Sequence, residues 1–210
     1  MNLVHSLPDY ILNFDGDSLS ADGLALLKDK KSAYKAYFCE LGSGSGGHLI
    51  ELARKDPKSL YVGFELRFKR AFRTAEKAAK LGLQNLLVVR GDVSNISRLF
   101  APGSVQGLYV NFPDPWDRKK WRKHRMLNEE SLKSMSRLLR TNGFIRYKTD
   151  HEGYFKDTMT IVSEIPCYKV ETVVSDLHHS SVLGNNIESE FEKLFKYKQV
   201  PVFFADIRKS

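Results

Sequence analysis

The residues best suited to chemistry in this chain lie in one short run. Asn111-Phe112-Pro113-Asp114-Pro115-Trp116 places one carboxylate between two prolines, whose fixed φ angles define the direction of that carboxylate. Residues 117–125 follow at once and contain six Lys/Arg side chains, one His and a second Trp. This pattern predicts a site in which Asp114 holds a flat polar ring while the basic run contacts a polyanion.

Asp114 is suited to one particular ring chemistry. A carboxylate accepts hydrogen bonds from the N1–H and the exocyclic amine of guanine, which would orient N7 toward an electrophilic methyl group. The same carboxylate would stabilise the positive charge that develops on the ring as N7 is alkylated. Asp150, which ends a later predicted strand, supplies a second carboxylate at the same predicted sheet edge. The sequence leaves open whether Trp116 stacks on a base or packs under the turn.

A glycine-rich loop about 70 residues upstream predicts a bound cofactor beside this site. Gly42-x-Gly44-x-x-Gly47 follows an apolar strand and opens a helix, which is the fingerprint of a dinucleotide-binding loop. The glycines permit positive φ angles and allow a ligand to approach the backbone closely. The loop by itself predicts an adenosine-containing cofactor, and it does not choose between NAD and S-adenosylmethionine.

Three acidic residues favour S-adenosylmethionine. Glu40, Glu65 and Asp92 each lie at or near the end of a predicted strand, so they should gather at the carboxyl edge of the sheet. Such a cluster would repel a pyrophosphate, whereas it would attract a sulfonium and an ammonium group. We expect Glu65 to bind the ribose hydroxyls, Asp92 to approach the adenine and Glu40 to face the methionine part.

Hydrophobic patterning predicts the elements that position these residues. Short apolar runs typical of strands alternate with segments of helical period, which predicts an α/β fold with a mostly parallel sheet. Residues 1–33 are predicted to form an N-terminal extension before a single domain over residues 34–210. The predicted strands cover 37–41, 60–66, 86–90, 105–110, 144–150, 169–174 and 202–207, and the predicted helices cover 48–54, 68–80, 129–140, 154–164 and 188–197. Asn142-Gly143 is predicted to close the helix over 129–140.

Composition limits the classes of protein to which the chain can belong. The 210 residues carry a formal net charge of +8, which favours polyanionic partners without deciding for nucleic acid. The two cysteines form no metal-ligand pattern, so no metal site is predicted. The N-terminus has no signal-peptide pattern and no run of 18 apolar residues occurs, so we expect a cytoplasmic protein without a membrane span. The sequence does not choose between a monomer and a homodimer.

Two segments allow more than one interpretation. The crowded cations after Trp116 favour a phosphate backbone as their counter-charge, although a solvated basic loop is the alternative. Ser189-Glu190-Phe191-Glu192 has the pattern of a helix capping box, and it also places Glu192 where it could reach the base pocket. The cationic face of the helix over 68–80 is more typical of a solvated surface than of a binding site.

Taken together, these residues resemble the bacterial tRNA (guanine-N7)-methyltransferases over residues 37–205. The resemblance is carried by five motifs, of which the proline-framed turn with its basic tail and the Lys-Thr-Asp strand end are the most specific. They are Glu40-Leu41-Gly42-Ser43-Gly44-Ser45-Gly46, Gly63-Phe64-Glu65, Asn111 to Trp116, Lys148-Thr149-Asp150, and Ser189 to Glu192. The family usually has Lys at the position of Arg118 and Thr at the position of Ser189.

The resemblance implies a fold, a reaction and a set of site residues. The fold would be a Rossmann-like sheet of seven mostly parallel strands, with an antiparallel last strand and helices on both faces. The reaction would transfer a methyl group from S-adenosyl-L-methionine to N7 of a guanine in the variable loop of tRNA, with Asp114 as the catalytic residue. The implied cofactor-binding residues are Glu40, Gly42, Gly44, Gly46, Glu65, Asp92, Asn111 and Asp114. The implied substrate-binding residues are Arg118, Asp150, Ser189, Glu190, Phe191 and Glu192, and the implied RNA-binding residues are Lys119, Lys120, Trp121, Arg122, Lys123 and Arg125.

Three alternatives stay open at this point. The chain could methylate another RNA or another guanine, because the acids at the sheet edge would be unchanged. It could be a non-catalytic RNA-binding subunit with the same fold, although such a protein has no need of Glu40, Glu65 and Asp114 together. It could be an NAD-dependent oxidoreductase, which the glycine loop permits, but no Tyr-x-x-x-Lys pair is present.

Overall fold

The computed structural model describes residues 7, 9–15, 18–181, 184 and 186–210. The chain forms two compact units, of which the first ends at Ala101 and the second begins at Pro102. Within the described residues, no helix combines the length and the apolar character needed to cross a membrane.

The first unit is an α/β unit with a largely parallel set of strands. Among its described residues the strand order is β2-β1-β5-β4-β3, in which β1, β5, β4 and β3 are parallel and β2 is antiparallel to β1. Its elements are β1 (Ile11–Asp15), β2 (Ser18–Leu19), α1 (Ala21–Ala33), β3 (Tyr37–Leu41), α2 (Gly47–Lys55), β4 (Leu60–Glu65), α3 (Phe68–Lys80), β5 (Leu86–Arg90) and α4 (Ile96–Leu99).

Burial explains why these segments adopt these structures. All six residues of β4 are buried, which is the continuous apolar pattern of a strand inside a parallel sheet. In α3, Ala71, Ala75 and Ala78 are fully buried, and their small side chains let the helix pack closely on the strands. The opposite face of α3 carries cations, as the amphipathic pattern predicts.

The second unit contains the remaining strands. Among its described residues the strand order is β6-β7-β9-β8, with β6 and β7 parallel and the last strand of the chain antiparallel to both of its neighbours. Its elements are β6 (Val105–Asn111), α5 (Glu129–Leu138), β7 (Leu139–Thr149), α6 (Glu152–Ser163), β8 (Tyr168–Val174), α7 (Glu190–Tyr197) and β9 (Phe203–Lys209). The predicted α/β class and the antiparallel last strand are therefore confirmed.

One predicted boundary is wrong. The helix predicted to reach Arg140 ends at Leu138, and β7 begins at Leu139 and continues through Asn142-Gly143. Asn142 has a φ of 62°, and the register between β6 and β7 shifts between Val105 and Gly107. Asn142-Gly143 therefore lies in an irregularity of the strand, where the same left-handed preference that can end a helix lets the strand bulge.

The described residues of the predicted N-terminal extension take part in the sheet of the first unit. These residues form two further strands, and Ile11 to Asn13 of β1 pair in parallel with Val88 to Arg90 of β5. The described residues therefore contain nine strands. Seven of them are the predicted strands, and the other two are β1 and β2. The domain boundary at residue 33 stays a prediction.

The two cysteines lie in different environments, and this gives a test of the core. Burial raises the pKa of the Cys39 thiol, and Cys39 is fully buried in β3, whereas Cys167 is partly exposed. Because the thiolate is the reactive form, Cys39 should react with Ellman's reagent only as fast as unfolding exposes it. In native protein we expect one thiol per chain, that of Cys167, to react rapidly. In guanidinium chloride we expect both thiols to react rapidly. Rapid reaction of both thiols in native protein would contradict the described packing of β3.

Candidate active site

The glycine loop, defined here as Gly42 to Gly47, is fixed to the end of β4. The backbone N–H groups of Gly42 and Ser43 both donate to the Phe64 carbonyl oxygen at 2.9 Å. Gly42, Gly44 and Gly46 have φ angles of 76°, 57° and 79°, which is the left-handed region that favours glycine. A Cβ on Gly46 would lie 2.3 Å from Thr74 Cγ2, so α3 packs directly on this end of the loop. The predicted turn before α2 is therefore present.

Glu65 holds the glycine loop from β4. Its Oε2 accepts a hydrogen bond from the Gly44 N–H at 3.0 Å, and its Oε1 accepts one from the Arg67 N–H at 2.8 Å. The side chain is buried, and each carboxylate oxygen has a second lone pair that could accept a ligand hydroxyl. Binding of ribose by Glu65 stays a prediction, and the structure adds a role in shaping the loop that the sequence did not reveal.

The other two predicted acids of the first unit differ in exposure. Glu40 is buried at the end of β3, and its Oε1 lies 3.2 Å from His48 Nδ1 in the first turn of α2. Asp92 is exposed and caps a short 3₁₀ turn by accepting from the Ser94 N–H at 2.8 Å. Asp92 also lines an open depression of about 490 Å³ together with Leu66, Ser94 and Arg98.

The residues around the glycine loop fit S-adenosylmethionine. A Cβ on Gly44 would have no heavy atom within 4 Å, so the loop is open to a ligand at this residue. Ser43 Oγ is buried and has no hydrogen-bond partner in the described part of the chain. The carboxylates of Glu40 and Glu65 suit a cofactor with ammonium and sulfonium groups and without phosphates. In the described residues no group of three or more His, Cys, Asp or Glu side chains could hold a metal ion.

In the second unit, the proline turn, defined as Phe112 to Trp116, follows β6. The Phe112 N–H donates to the Lys148 carbonyl oxygen at 2.8 Å, which ties the start of the turn to β7. Phe112 and Trp116 have φ angles of 51° and 44°, which are unusual for large side chains. Pro113 is buried and Asp114 is exposed. Because Asp114 forms no hydrogen bond or ion pair with any described residue, its carboxylate is available to a ligand.

The basic segment, defined as Arg118 to Arg125, contains a 3₁₀ helix over Lys119–His124. The guanidinium carbon of Arg118 lies 4.8 Å and Lys120 Nζ 5.3 Å from the Trp121 ring centroid. Trp121 and Trp116 are 37% and 39% exposed and meet edge to face, with their ring centroids 6.2 Å apart. Lys119 and Lys123 are exposed and form no ion pair with a described residue. These exposed cations and rings suit a single-stranded nucleic acid.

Arg125 lies in different surroundings from those that its RNA-binding prediction requires. It was predicted to bind RNA with the rest of the basic segment, but it is buried and only 5% exposed. Its Nε donates to the Pro115 carbonyl oxygen at 2.6 Å and its Nη1 to Asp157 Oδ2 at 2.7 Å. Arg122 Nη1 also donates to Asp157, at 3.0 Å, so part of its charge is neutralised. The buried position of Arg125 favours a role inside the protein over contact with RNA.

The segment from Asn186 to Glu192 is held by a buried ion pair. Ser189 and Glu192 form both hydrogen bonds of a capping box at the start of α7, as one interpretation of the sequence predicts. Glu192 is fully buried, and its Oε2 lies 2.7 Å from Lys148 Nζ of β7. Asn186 bonds to both side chains of this pair. Contact of Glu192 with a base stays a prediction, and its buried position favours a role in holding the segment.

The remaining predicted substrate residues are accessible. Asp150 and Glu190 are exposed, and Phe191 is 48% exposed while its ring packs against Phe112 and Phe195. Asn111 ends β6 beside Lys148, so it lies in the same unit as Asp114. Sequence reasoning included Lys148 in a motif without assigning it a role, and it missed Asp157 and Asn186. The signal for Lys148 is its place in an apolar strand, because a buried ammonium needs a carboxylate partner.

Comparisons with known proteins identify the family. A family model described as "Putative methyltransferase" matches residues 34–205. The tRNA (guanine-N(7)-)-methyltransferase of Bdellovibrio bacteriovorus is 34% identical over 170 residues, which cover 81% of this chain and 81% of that protein. The chain belongs to the tRNA (guanine-N7)-methyltransferase family.

Two further comparisons concern length and fold. A protein of Fusobacterium nucleatum named as a bifunctional glycosyltransferase/methyltransferase is 34% identical over 198 residues, which are 91% of this chain and 29% of that protein's length. A solved structure of an antibiotic related methyltransferase matches with a TM-score of 0.69 at 15% identity, covering 94% of this chain and 99% of that chain. The latter shows that this family member has a methyltransferase fold.

The two inner glycines of the loop should respond differently to alanine. Gly46→Ala introduces a clash with Thr74, so we expect a loss of about 2–4 kcal/mol in unfolding free energy. Gly44→Ala meets no atom and should cost only about 1–2 kcal/mol for its positive φ. Its methyl group would nevertheless fill the open side of the loop and weaken S-adenosylmethionine binding about tenfold, or about 1.4 kcal/mol.

Gly82, which follows the C-terminal end of α3, supplies the matched control. Its φ of 65° and its open surroundings resemble those of Gly44. Calorimetric titration with S-adenosylmethionine and thermal unfolding of the three variants separate the effects. Equal cofactor affinity of the Gly44→Ala and Gly82→Ala variants would contradict the proposed role of the loop.

The Lys148–Glu192 pair should be strongly coupled. Lys148→Met leaves a fully buried carboxylate without its cation, and we expect a loss of about 3–5 kcal/mol in urea unfolding. Adding Glu192→Leu removes the stranded charge, so the double variant should recover much of that loss. The exposed pair of Lys133 and Glu129 is the control, and Lys133→Met should change stability by less than about 1 kcal/mol. Additive losses in the double variant would show that the buried pair is not a unit.

Proposed function

We propose that this chain transfers the methyl group of S-adenosyl-L-methionine to N7 of a guanine in the variable loop of tRNA. The observation that carries the proposal is the exposed carboxylate of Asp114, which has no partner among the described residues and sits on a rigid turn between two prolines. Membership of the tRNA (guanine-N7)-methyltransferase family supports the reaction and the substrate.

Asp114 orients the base. Its carboxylate accepts hydrogen bonds from the guanine N1–H and exocyclic amine, which leaves the N7 lone pair free to form the new bond to carbon. When bound, S-adenosylmethionine would supply an electrophilic methyl group, and its sulfur would keep the electrons of the broken carbon–sulfur bond as a neutral thioether. The guanine ring becomes cationic in this step, and the negative charge of Asp114 stabilises it. No proton has to be removed before the transfer.

The first unit supplies the cofactor-binding residues. Glu65 accepts the ribose hydroxyls while it continues to hold the Gly44 N–H, and Asp92 binds at the adenine from the rim of the depression that it lines. Glu40, kept in place by His48, attracts the ammonium group of the methionine part. Gly42 and Gly46 shape the loop, and Gly44 leaves room for the cofactor.

The second unit supplies the RNA-binding residues. Lys119, Lys120 and Lys123 attract the phosphate backbone, and Trp121 offers a ring face for a base. Arg122 contributes a weaker charge because it shares Asp157 with Arg125. The residues that border the guanine and its neighbours are Arg118, Asp150, Ser189, Glu190 and Phe191. The buried Glu192 holds their segment through its ion pair with Lys148. We place the reaction in the cytoplasm, where tRNA is available and where the two free cysteines stay reduced.

Methyl transfer to defined transcripts tests this function. Wild-type protein with radiolabelled S-adenosylmethionine should label an unmodified tRNA transcript and fail to label one that lacks the variable-loop guanine. Asp114→Asn should lower kcat by about 100- to 1000-fold, because the anion that stabilises the transition state is lost. Asp29→Asn, an exposed change on α1, should have wild-type activity.

The outcomes separate the alternatives. Label on both transcripts would retain the methyltransferase activity and move the target to another guanine. No label on any RNA, with cofactor binding intact, would favour a non-catalytic RNA-binding role. Wild-type turnover by the Asp114→Asn variant would contradict the role of Asp114.

A further inference from the structure

Arg125 differs from the other cations of the basic segment. All six of these cations belong to the described residues, and Arg125 is the one that is buried. A cation that is 5% exposed cannot meet an RNA phosphate without leaving its site. Its function must therefore lie in the contacts that it makes inside the protein.

Those contacts converge on the proline turn. Arg125 Nε donates to the carbonyl oxygen of Pro115 at 2.6 Å, and Pro115 directly follows Asp114. Charge-assisted hydrogen bonds of this kind are short and directional. The carbonyl that Arg125 holds is thus one residue away from the carboxylate proposed to bind guanine.

The turn needs such an anchor. Residues Phe112 to Arg118 form no helix or strand, and Phe112 and Trp116 at the two ends of the turn both have positive φ angles. Large side chains adopt this conformation only where the surrounding structure enforces it. The Phe112 N–H bond to Lys148 holds the first end, and Arg125 holds the second end.

Helix α6 provides the base on which Arg125 rests. Asp157 Oδ2 accepts from Arg125 Nη1 at 2.7 Å, and the guanidinium carbon lies 4.5 Å from the Tyr154 ring centroid. Burial raises the pKa of Tyr154 to about 12, so the phenol is neutral and its oxygen accepts from the Leu127 N–H at 2.8 Å. The guanidinium is therefore held on one side by an anion and covered by an aromatic face.

We propose that Arg125 is a positioning residue that sets the orientation of Asp114 through the Pro115 carbonyl, with Asp157 as its anchor. Arg125 thereby contributes to kcat and not to tRNA affinity. The proposal rests on the proposed function of Asp114, and it separates Arg125 from Lys119 and Lys123, whose exposed charges contribute to tRNA affinity.

Two substitutions distinguish positioning from RNA contact. Arg125→Lys keeps the charge but cannot donate to Pro115 and Asp157 in the same geometry, so we expect kcat to fall about 10- to 100-fold. The KM for tRNA and the salt dependence of tRNA binding should stay within about twofold of wild type. Asp157→Asn should give a similar loss of kcat, although it removes a negative charge. If Arg125 contacts RNA instead, Arg125→Lys keeps most of kcat, and Asp157→Asn leaves kcat unchanged; tRNA affinity is not compared in Asp157→Asn, because Asp157 also pairs with Arg122.

The fluorescence of Trp116 provides a readout that does not depend on activity. In a Trp121→Phe background, Arg125→Lys and Asp157→Asn should both increase acrylamide quenching of Trp116, because the turn is released. Arg140→Lys and Glu129→Gln are the matched controls, since both residues are exposed and lie in β7 and α5, outside the turn and the basic segment. If Arg125→Lys loses cooperative unfolding, Asp157→Asn, which keeps the arginine and removes only the charge of its anchor, carries the test.

Each outcome has a distinct meaning. Unchanged kcat with a raised KM in the Arg125→Lys protein, or unchanged quenching in both variants, would overturn the positioning role. If wild-type protein methylates no tRNA, the proposed function fails, and the quenching result still decides whether Arg125 holds the turn.

Discussion

The attachment of residues 112–127 to helix α6 is the interaction on which the second unit's candidate site depends. This stretch has no strand ladder, and its one regular element is a short 3₁₀ helix, so its backbone cannot hold its own shape. The N-cap residue of α6 and two residues within the helix supply the missing contacts. His151 Nε2 lies 2.6 Å from Asp117 Oδ1, Asp157 binds Arg125, and the Tyr154 hydroxyl accepts from Leu127. A catalytic carboxylate on such a loop is only as well oriented as these contacts allow.

In the first unit, the loop that carries site residues is held in shape mainly by its own backbone. This loop is short, and glycines let it turn sharply enough for backbone groups to bond directly to β4. Glu65 then acts twice, because the carboxylate that braces the loop is also the one placed to accept a ligand hydroxyl. A small, strained loop needs few side-chain anchors, whereas the longer proline turn and basic segment need several.

The predictions from the sequence succeeded where burial leaves a simple pattern. The strands β4 and β5 are nearly continuous buried runs, because strands inside a parallel sheet are covered on both faces. The described strand β1 was missed because five residues of mixed polarity carry little periodic signal until β5 provides a partner. Asn142-Gly143 was misread because the left-handed conformation it favours ends helices and also interrupts strands. In both cases a partner distant in sequence decides the outcome.

The sequence by itself determined the chemistry and the class of fold. Residue types and local spacing identify the glycine loop, the acids at strand ends, the proline turn and the family to which the chain belongs, because these signals lie within a few consecutive residues. Tertiary structure alone decided which of the candidate residues are free to meet a ligand. Arg125 binds Asp157, 32 residues away, and Lys148 binds Glu192, 44 residues away, so both cations are buried. Burial and pairing depend on which distant segments pack together, and no local pattern of charge distinguishes a buried cation from an exposed one.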